Sequence, residues 1–260
     1  MTSLTLALLL VQAQPASTPP PPVRPAFEPA FELSWSREVP LLSASALLLT
    51  AGLIEARLRQ PSLCPCDAGG VPGFDRVALS QHSAAAGSAS DVLLSSLILL
   101  GPLGVAAAGL PGGWRNAAEL ALIEAESMAL TASLTETIKN AVARPRPYAY
   151  PSHATNLPAY ESFWSGHTST SFNAVVTAMV LLHDSYPREA WPWIAGGVGL
   201  AAAATTGVLR VAAGAHFPSD VVVGALVGTS LGLAVPLLHR RRWPVALTAA
   251  PGGLALAGNF

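Results

Sequence analysis

Several stretches of this chain run without a charged residue for about the length a bilayer demands, roughly 17 to 25 residues per helix. The clearest are 92–110, 191–209 and 221–238, joined by 166–182, which opens on His167, and by the shorter 39–54. A sixth segment, 117–138, is helix-compatible but carries Glu119, Glu124, Glu126 and Glu136. Acids at membrane depth are tolerated mainly when they face a bundle interior. The expected fold is therefore all-α, a polytopic membrane bundle of about six transmembrane helices. Composition agrees: 51% of the residues are hydrophobic and 11% charged, against roughly 25% charged in an average soluble domain. With 14 basic and 15 acidic residues, no whole-protein field suggests a nucleic-acid partner.

Residues 1–13 contain a short apolar run ending at Val11-Gln12-Ala13, whose small residues resemble a signal-peptide cleavage site, although no Lys or Arg precedes it. Residues 14–32 are proline-rich and read as an extended linker with no core to join. The membrane domain is expected over 33–239 and a tail, either a small hairpin or disordered, over 240–260. A polar loop follows the first span and holds a short helix near 75–83, with Cys64 and Cys66 as incidental thiols. A proline-rich loop over 140–162 joins the third and fourth spans. Arg240-Arg241-Arg242 follows the last span, and basic residues beside spans tend to stay cytoplasmic. Six spans then put the opposite end outside, facing the periplasm if the membrane is a bacterial inner membrane. That count conflicts with a cleaved leader, which would place the N-terminus outside as well.

Chemistry concentrates in three clusters at span ends. Lys139 closes the third span, and Arg144-Pro145-Arg146-Pro147 stops the helix, because proline removes a donor and disfavours helix in the residue before it. Arg146 offers a planar fork for two phosphate oxygens and Lys139 a compact point charge. Ser165-Gly166-His167 opens the fourth span with a preferred N-cap, a residue that lets backbone approach a ligand, and the free N–H groups of a first turn. Arg210 closes the fifth span. His216 and Asp220 open the sixth at a spacing of four, on one helix face, where the carboxylate could accept a hydrogen bond from the ring and fix its tautomer.

In order and spacing, Lys139 with Arg146-Pro147, then Ser165-Gly166-His167, then Arg210 with His216 and Asp220 resemble the three-part signature of the type 2 phosphatidic acid phosphatase superfamily. That family spans membrane lipid phosphatases, bacterial acid phosphatases and vanadium haloperoxidases. The chain departs from the usual pattern at Trp164 and Leu209, where the family has proline and serine; Trp164 is expected at the membrane interface, where indoles are enriched. The resemblance implies His216 as nucleophile, Asp220 as its orienting carboxylate and His167 as acid then base. It implies Lys139, Arg146, Ser165, Gly166 and Arg210 as the phosphate cradle, with no metal and no cofactor. Such a site at membrane helix ends suits a lipid phosphate or diphosphate whose tail stays among the membrane lipids. A vanadate-dependent haloperoxidase and a non-catalytic lipid-phosphate binder or transporter are the rival readings. Glu124 and Glu126 are expected as structural partners of serines, threonines or the motif arginines.

Overall fold

A computed structural model of the chain describes residues 26–58, 66–152, 156–241, 245–250 and 253–258. The helices are α1 (Trp35–Leu58), α2 (Ala84–Gly109), α3 (Trp114–Val142), the one-turn α4 (Ala149–Ser152), α5 (Gly166–Ser185), α6 (Trp191–Ala212) and α7 (Pro218–Leu238). A two-stranded antiparallel hairpin follows, β1 (Val245–Ala250) against β2 (Gly253–Gly258), with Val245 opposite Gly258. The body is thus an all-helical bundle, and each of the six apolar segments lies inside a long helix. The 1–13 leader falls outside the described residues.

Among the described residues, four helices are long and apolar enough to cross a membrane: α1, Ala84–Gly112 (α2 with the turn after it), α6 and α7. Their apolar side chains face outward, Leu47, Ile98, Ile194 and Leu226 among them. Exposed apolar surface on this scale is a liability in water and is what a lipid-facing surface requires. Helices α3 and α5 form the inner pair instead. Their polar side chains bond across the bundle interior: Asn173 Nδ2 donates to Ser127 Oγ at 2.8 Å, Ser127 and Thr177 hydroxyls meet at 3.0 Å, and Thr135 and Ser169 hydroxyls at 3.1 Å. Buried hydroxyls and amides are tolerable only when paired in this way.

The contact that places the site is α5 on α7. Gly224, Gly228 and Gly232 make a ridge along α7, and each stands against a carbonyl of α5: a Cβ on them would lie 2.7 Å from Ser165 O, 2.1 Å from Ser169 O and 2.9 Å from Asn173 O. Small residues at every fourth position let two helix backbones touch. The register this creates sets the start of α7 beside the start of α5.

At the opposite end, residues 26–33 depart from the expected free linker. Phe31 is fully buried and Phe27 nearly so, Glu28 N–H donates to Ser185 O at 2.8 Å, and Phe31 bridges to Arg240. Two aromatic rings supply the apolar area a proline-rich segment otherwise lacks. In the loop after α1, Cys66 is disulfide-bonded rather than a free thiol, and Arg76–Ser80 form the expected short helix as a 3₁₀ turn.

Candidate active site

Four helix ends converge on one side of the bundle. The α3 helix closes on Ala143, which turns left-handed (φ 51°) and donates its N–H to Lys139 O at 2.9 Å. Ser165 caps α5, its hydroxyl accepting from Thr168 N–H at 3.4 Å and Thr168 Oγ1 at 2.9 Å, while its own N–H donates to Asp220 O at 3.1 Å. The link from α6 to α7 passes through Gly214 (φ 67°), where a Cβ would lie 2.0 Å from Gln81 O. Pro218 begins α7 at the position where its missing donor costs nothing.

Lys139 Nζ lies over Gly166, 3.0 Å from where a Cβ would stand, so the glycine makes room for the ammonium at the open N-terminus of α5. The same ammonium donates to Glu136 at 2.9 Å. Arg146 and Arg210 each keep a buried Nε with no hydrogen-bond partner among the described residues. A buried guanidinium donor left unpaired is costly, and two of them lie among the same helix ends, where an anion could pair with both.

His216 is buried, and its Nδ1 donates to Ser162 O at 2.7 Å. This corrects the expected bond to Asp220, whose Oδ2 stands 3.9 Å from Nδ1. Asp220 is already saturated. Its Oδ2 accepts from Ser162 Oγ at 2.6 Å and Phe217 N–H at 2.9 Å, and its Oδ1 from Arg144. Because a carbonyl oxygen only accepts, the ring carries its proton on Nδ1, and Nε2 keeps its lone pair. Burial pushes the His216 imidazole down to about 3; Asp220 opposes that shift, and the Arg146 and Arg210 cations add to it.

Arg144, the first arginine of the proline run, is engaged elsewhere. It spans Asp220 and Asp75, donating to Asp75 Oδ2 at 2.8 Å, and its guanidinium lies 4.1 Å over the Phe217 ring. Asp75 also takes Ser219 N–H at 2.9 Å and Ser219 Oγ at 2.7 Å. Burial alone would raise the Asp75 carboxyl, but the Ser219 and Arg144 hydrogen bonds hold it below its usual range. The arginine therefore braces the Asp220 carboxylate.

Asp91 on α2 is the residue the motifs do not contain. Its Oδ1 lies 2.7 Å from His167 Nε2 and accepts from Arg210 at 3.2 Å, so it joins two of the clusters. Its one sequence signal is its position as the last charge before the apolar run 92–110. Trp164 departs from the expected interfacial position: it is buried, and its indole N–H donates to Thr135 Oγ1 at 2.9 Å. A buried indole needs such an acceptor, and the inner face of α3 supplies it.

Residues 120–244 match the family model described as the PAP2 superfamily. This segment is similar to PAP2-superfamily domains. Two curated relatives are similar to part of the chain: a lipid A 1-phosphatase of Rhizobium etli, 33% identical over 131 residues, and a lipid A 1-phosphatase of Rhizobium johnstonii, 35% identical over 131 residues. Each alignment covers 48% of this chain, with 52% of the first relative and 49% of the second, so the chain spans about half the length of the curated relatives it matches. A solved structure, the transmembrane PAP2-type phosphatidylglycerolphosphate phosphatase from Bacillus subtilis, is also similar. It has a TM-score of 0.46 and 18% identity, covering 77% of this chain and 92% of that one. The matched segment runs from within α3 through α7, so it holds all three clusters, while Asp75 and Asp91 lie outside it.

Proposed function

We propose that this protein is an integral membrane phosphatase that hydrolyses a lipid phosphate or diphosphate at the bilayer surface through a phosphohistidine. The observation that carries the reading is His216 Nε2, an uncharged lone pair held by Ser162 O on the far side of its ring, in a place that also holds two unpaired guanidinium donors. His216 Nε2 attacks phosphorus while the leaving oxygen takes a proton from His167. Water, deprotonated by His167, then attacks the phosphohistidine and releases phosphate. Lys139, Arg146, Arg210, Ser165 and the Gly166 N–H hold the equatorial oxygens, where charge is spread in phosphoryl transfer.

Asp91 Oδ1 accepts from both His167 and Arg210. Substrate binding in this scheme turns those two donors from Asp91 to the phosphate. The donor set is cationic, which suits an oxyanion and repels a metal ion, so the chemistry proposed is metal-independent. The site residues lie where a headgroup can reach them with its tail still in lipid. The 1-phosphate of lipid A, named in the two relatives, is the first substrate to test. With Arg240 and Arg241 at the other end, the proposed side is the periplasmic face of a bacterial inner membrane.

A panel of lipid phosphates, lipid A included, assayed with purified protein in detergent beside His216→Ala tests the reading. Phosphate release by the native chain, with an acid-labile phosphoenzyme that the variant lacks, is the expected result. Release at an undiminished rate by His216→Ala would remove the nucleophile. No release from any lipid would favour binding or transport, and halogenation dependent on added vanadate would favour the haloperoxidase reading.

A further inference from the structure

At the end of the bundle opposite the phosphate place, His239 follows the last turn of α7 and is completely buried. Its Nδ1 donates to Val235 O at 2.8 Å, which fixes the tautomer and presents Nε2 to two carboxylates, Glu38 Oε2 at 3.2 Å and Glu126 Oε2 at 3.3 Å. Glu38 is anchored in turn, its Oε1 accepting from Ser34 N–H at 3.0 Å. Glu126 is buried within α3, and its Oε1 has no hydrogen-bond partner. Among the described residues neither carboxylate is paired with a Lys or Arg. The nearby Arg37 bonds Leu238 O, Ser34 and Glu32, and Arg115 and Arg241 reach Glu119.

We propose that His239, Glu38 and Glu126 form a binding site for a divalent transition cation of the zinc type. A tetrahedral ion with nitrogen and oxygen ligands at roughly 2.0–2.1 Å sets its ligand atoms about 3.3–3.4 Å apart, close to the two separations seen here. The third separation, between the two carboxylates, is within 4.8 Å, and the half-buried Glu38 is the side chain free to close it. A backbone carbonyl on the non-ligating ring nitrogen is the usual outer partner of a metal-bound histidine. Two carboxylates buried beside a neutral imidazole leave charge that a 2+ ion would balance, whereas one shared proton balances half of it. Glu38 and Glu126 also line a cavity of about 440 Å³ between α1 and α3, walled by Trp35, Leu42 and Trp114. The cavity gives an entry path and space for a water as the remaining ligand.

The ion would pin three helices at one level: the first turn of α1, the middle of α3 and the end of α7. Two of these, α3 and α7, carry Lys139 and His216 at or near their far ends, so the clamp acts on helix position and is separate from phosphate chemistry. The test uses the full chain, purified with its affinity tag removed, stripped with a chelator and titrated with Co²⁺ and Zn²⁺. About one equivalent should bind per chain, with visible Co²⁺ bands of four- or five-coordinate intensity and a rise in thermal midpoint. Uptake should weaken as pH falls, because protons compete for the ligands. Glu126→Gln and Glu38→Gln should each weaken binding at least about tenfold. Should a variant fail to fold, X-ray absorption on the native Zn²⁺-loaded chain decides: a shell of oxygens with one imidazole supports the site. A native chain that takes up no cation, a shell without imidazole, or variants that bind as well as the native chain would overturn the proposal. The cluster would then be an imidazolium shared by two glutamates.

Discussion

Removing the imidazole of His216 should abolish turnover, and replacing Asp91 by Asn should have an opposite kind of effect on anion binding. Asp91 competes with phosphate for His167 and Arg210, so Asp91→Asn should tighten inhibition by orthovanadate about tenfold, the equivalent of one charge-assisted hydrogen bond of roughly 1.4 kcal/mol. An inhibition constant that stays the same or rises would sink that account. The His216 ring is held down to about 3 from its ordinary 6.5. The unfolded chain therefore binds a proton the folded one refuses. The contribution to stability is complete above about 6.5 and is lost as pH falls towards about 3. Thermal midpoints measured from pH 7 to 4 should fall more steeply for the native chain than for His216→Ala. At this scale the three clusters stood out through their joint order and spacing, since a single charge at the end of an apolar helix is an ordinary flank. Asp91 did not, since a lone acid at a span edge carries no pattern. The acceptor for His216 was also hidden, because a backbone carbonyl has no sequence signal.

Among the elements, the glycine ridge of α7 is the feature most open to test. Gly228→Val would drive side-chain atoms into the α5 backbone at Ser169, where overpacking costs about 1–3 kcal/mol. Its expected signature is a lowered midpoint together with a lowered rate, since α5 and α7 each carry a site histidine. Loss of stability with an unchanged rate would show that the two helices do not set the site geometry. Hydropathy marked the lipid-crossing part of each helix rather than the helix itself. Thus α2 begins at Ala84, eight residues before the charge-free run, because Asp91 bounds that run while the small residues before it continue the helix, and that extension is what carries Asp91. The α7 ridge was invisible for a related reason: glycine every fourth residue becomes a contact only once its partner is known. Glu126 was misread as a partner of hydroxyls because His239 lies over a hundred residues away in sequence.

For the molecule as a whole, the bundle has two polar ends of different character. One gathers Lys139, Arg146 and Arg210; the other gathers Arg240, Arg241, Glu38, Glu126 and His239. In the proposed orientation, with the arginine-bearing end in the cytoplasm, a fluorescent protein fused after Phe260 should fold and fluoresce; a reporter active only outside would invert the proposed sidedness. The all-helical class and the grouping of helix ends could be read from charge spacing and apolar length. The division of labour within the bundle could not, because it depends on which neighbours each face meets. Four helices present apolar surface to lipid, while α3 and α5 pair their hydroxyls and amides inside.

Because the α5 and α7 main chains meet with almost nothing between them, the spacing between the proposed attacking ring and the Ser165–Gly166 part of the proposed cradle is set by backbone contact. The outward faces of α1, α2 and α6 can then be rewritten freely during evolution. A lineage could exchange one greasy tail for another, or one bilayer thickness for another, and inherit the same reaction unchanged.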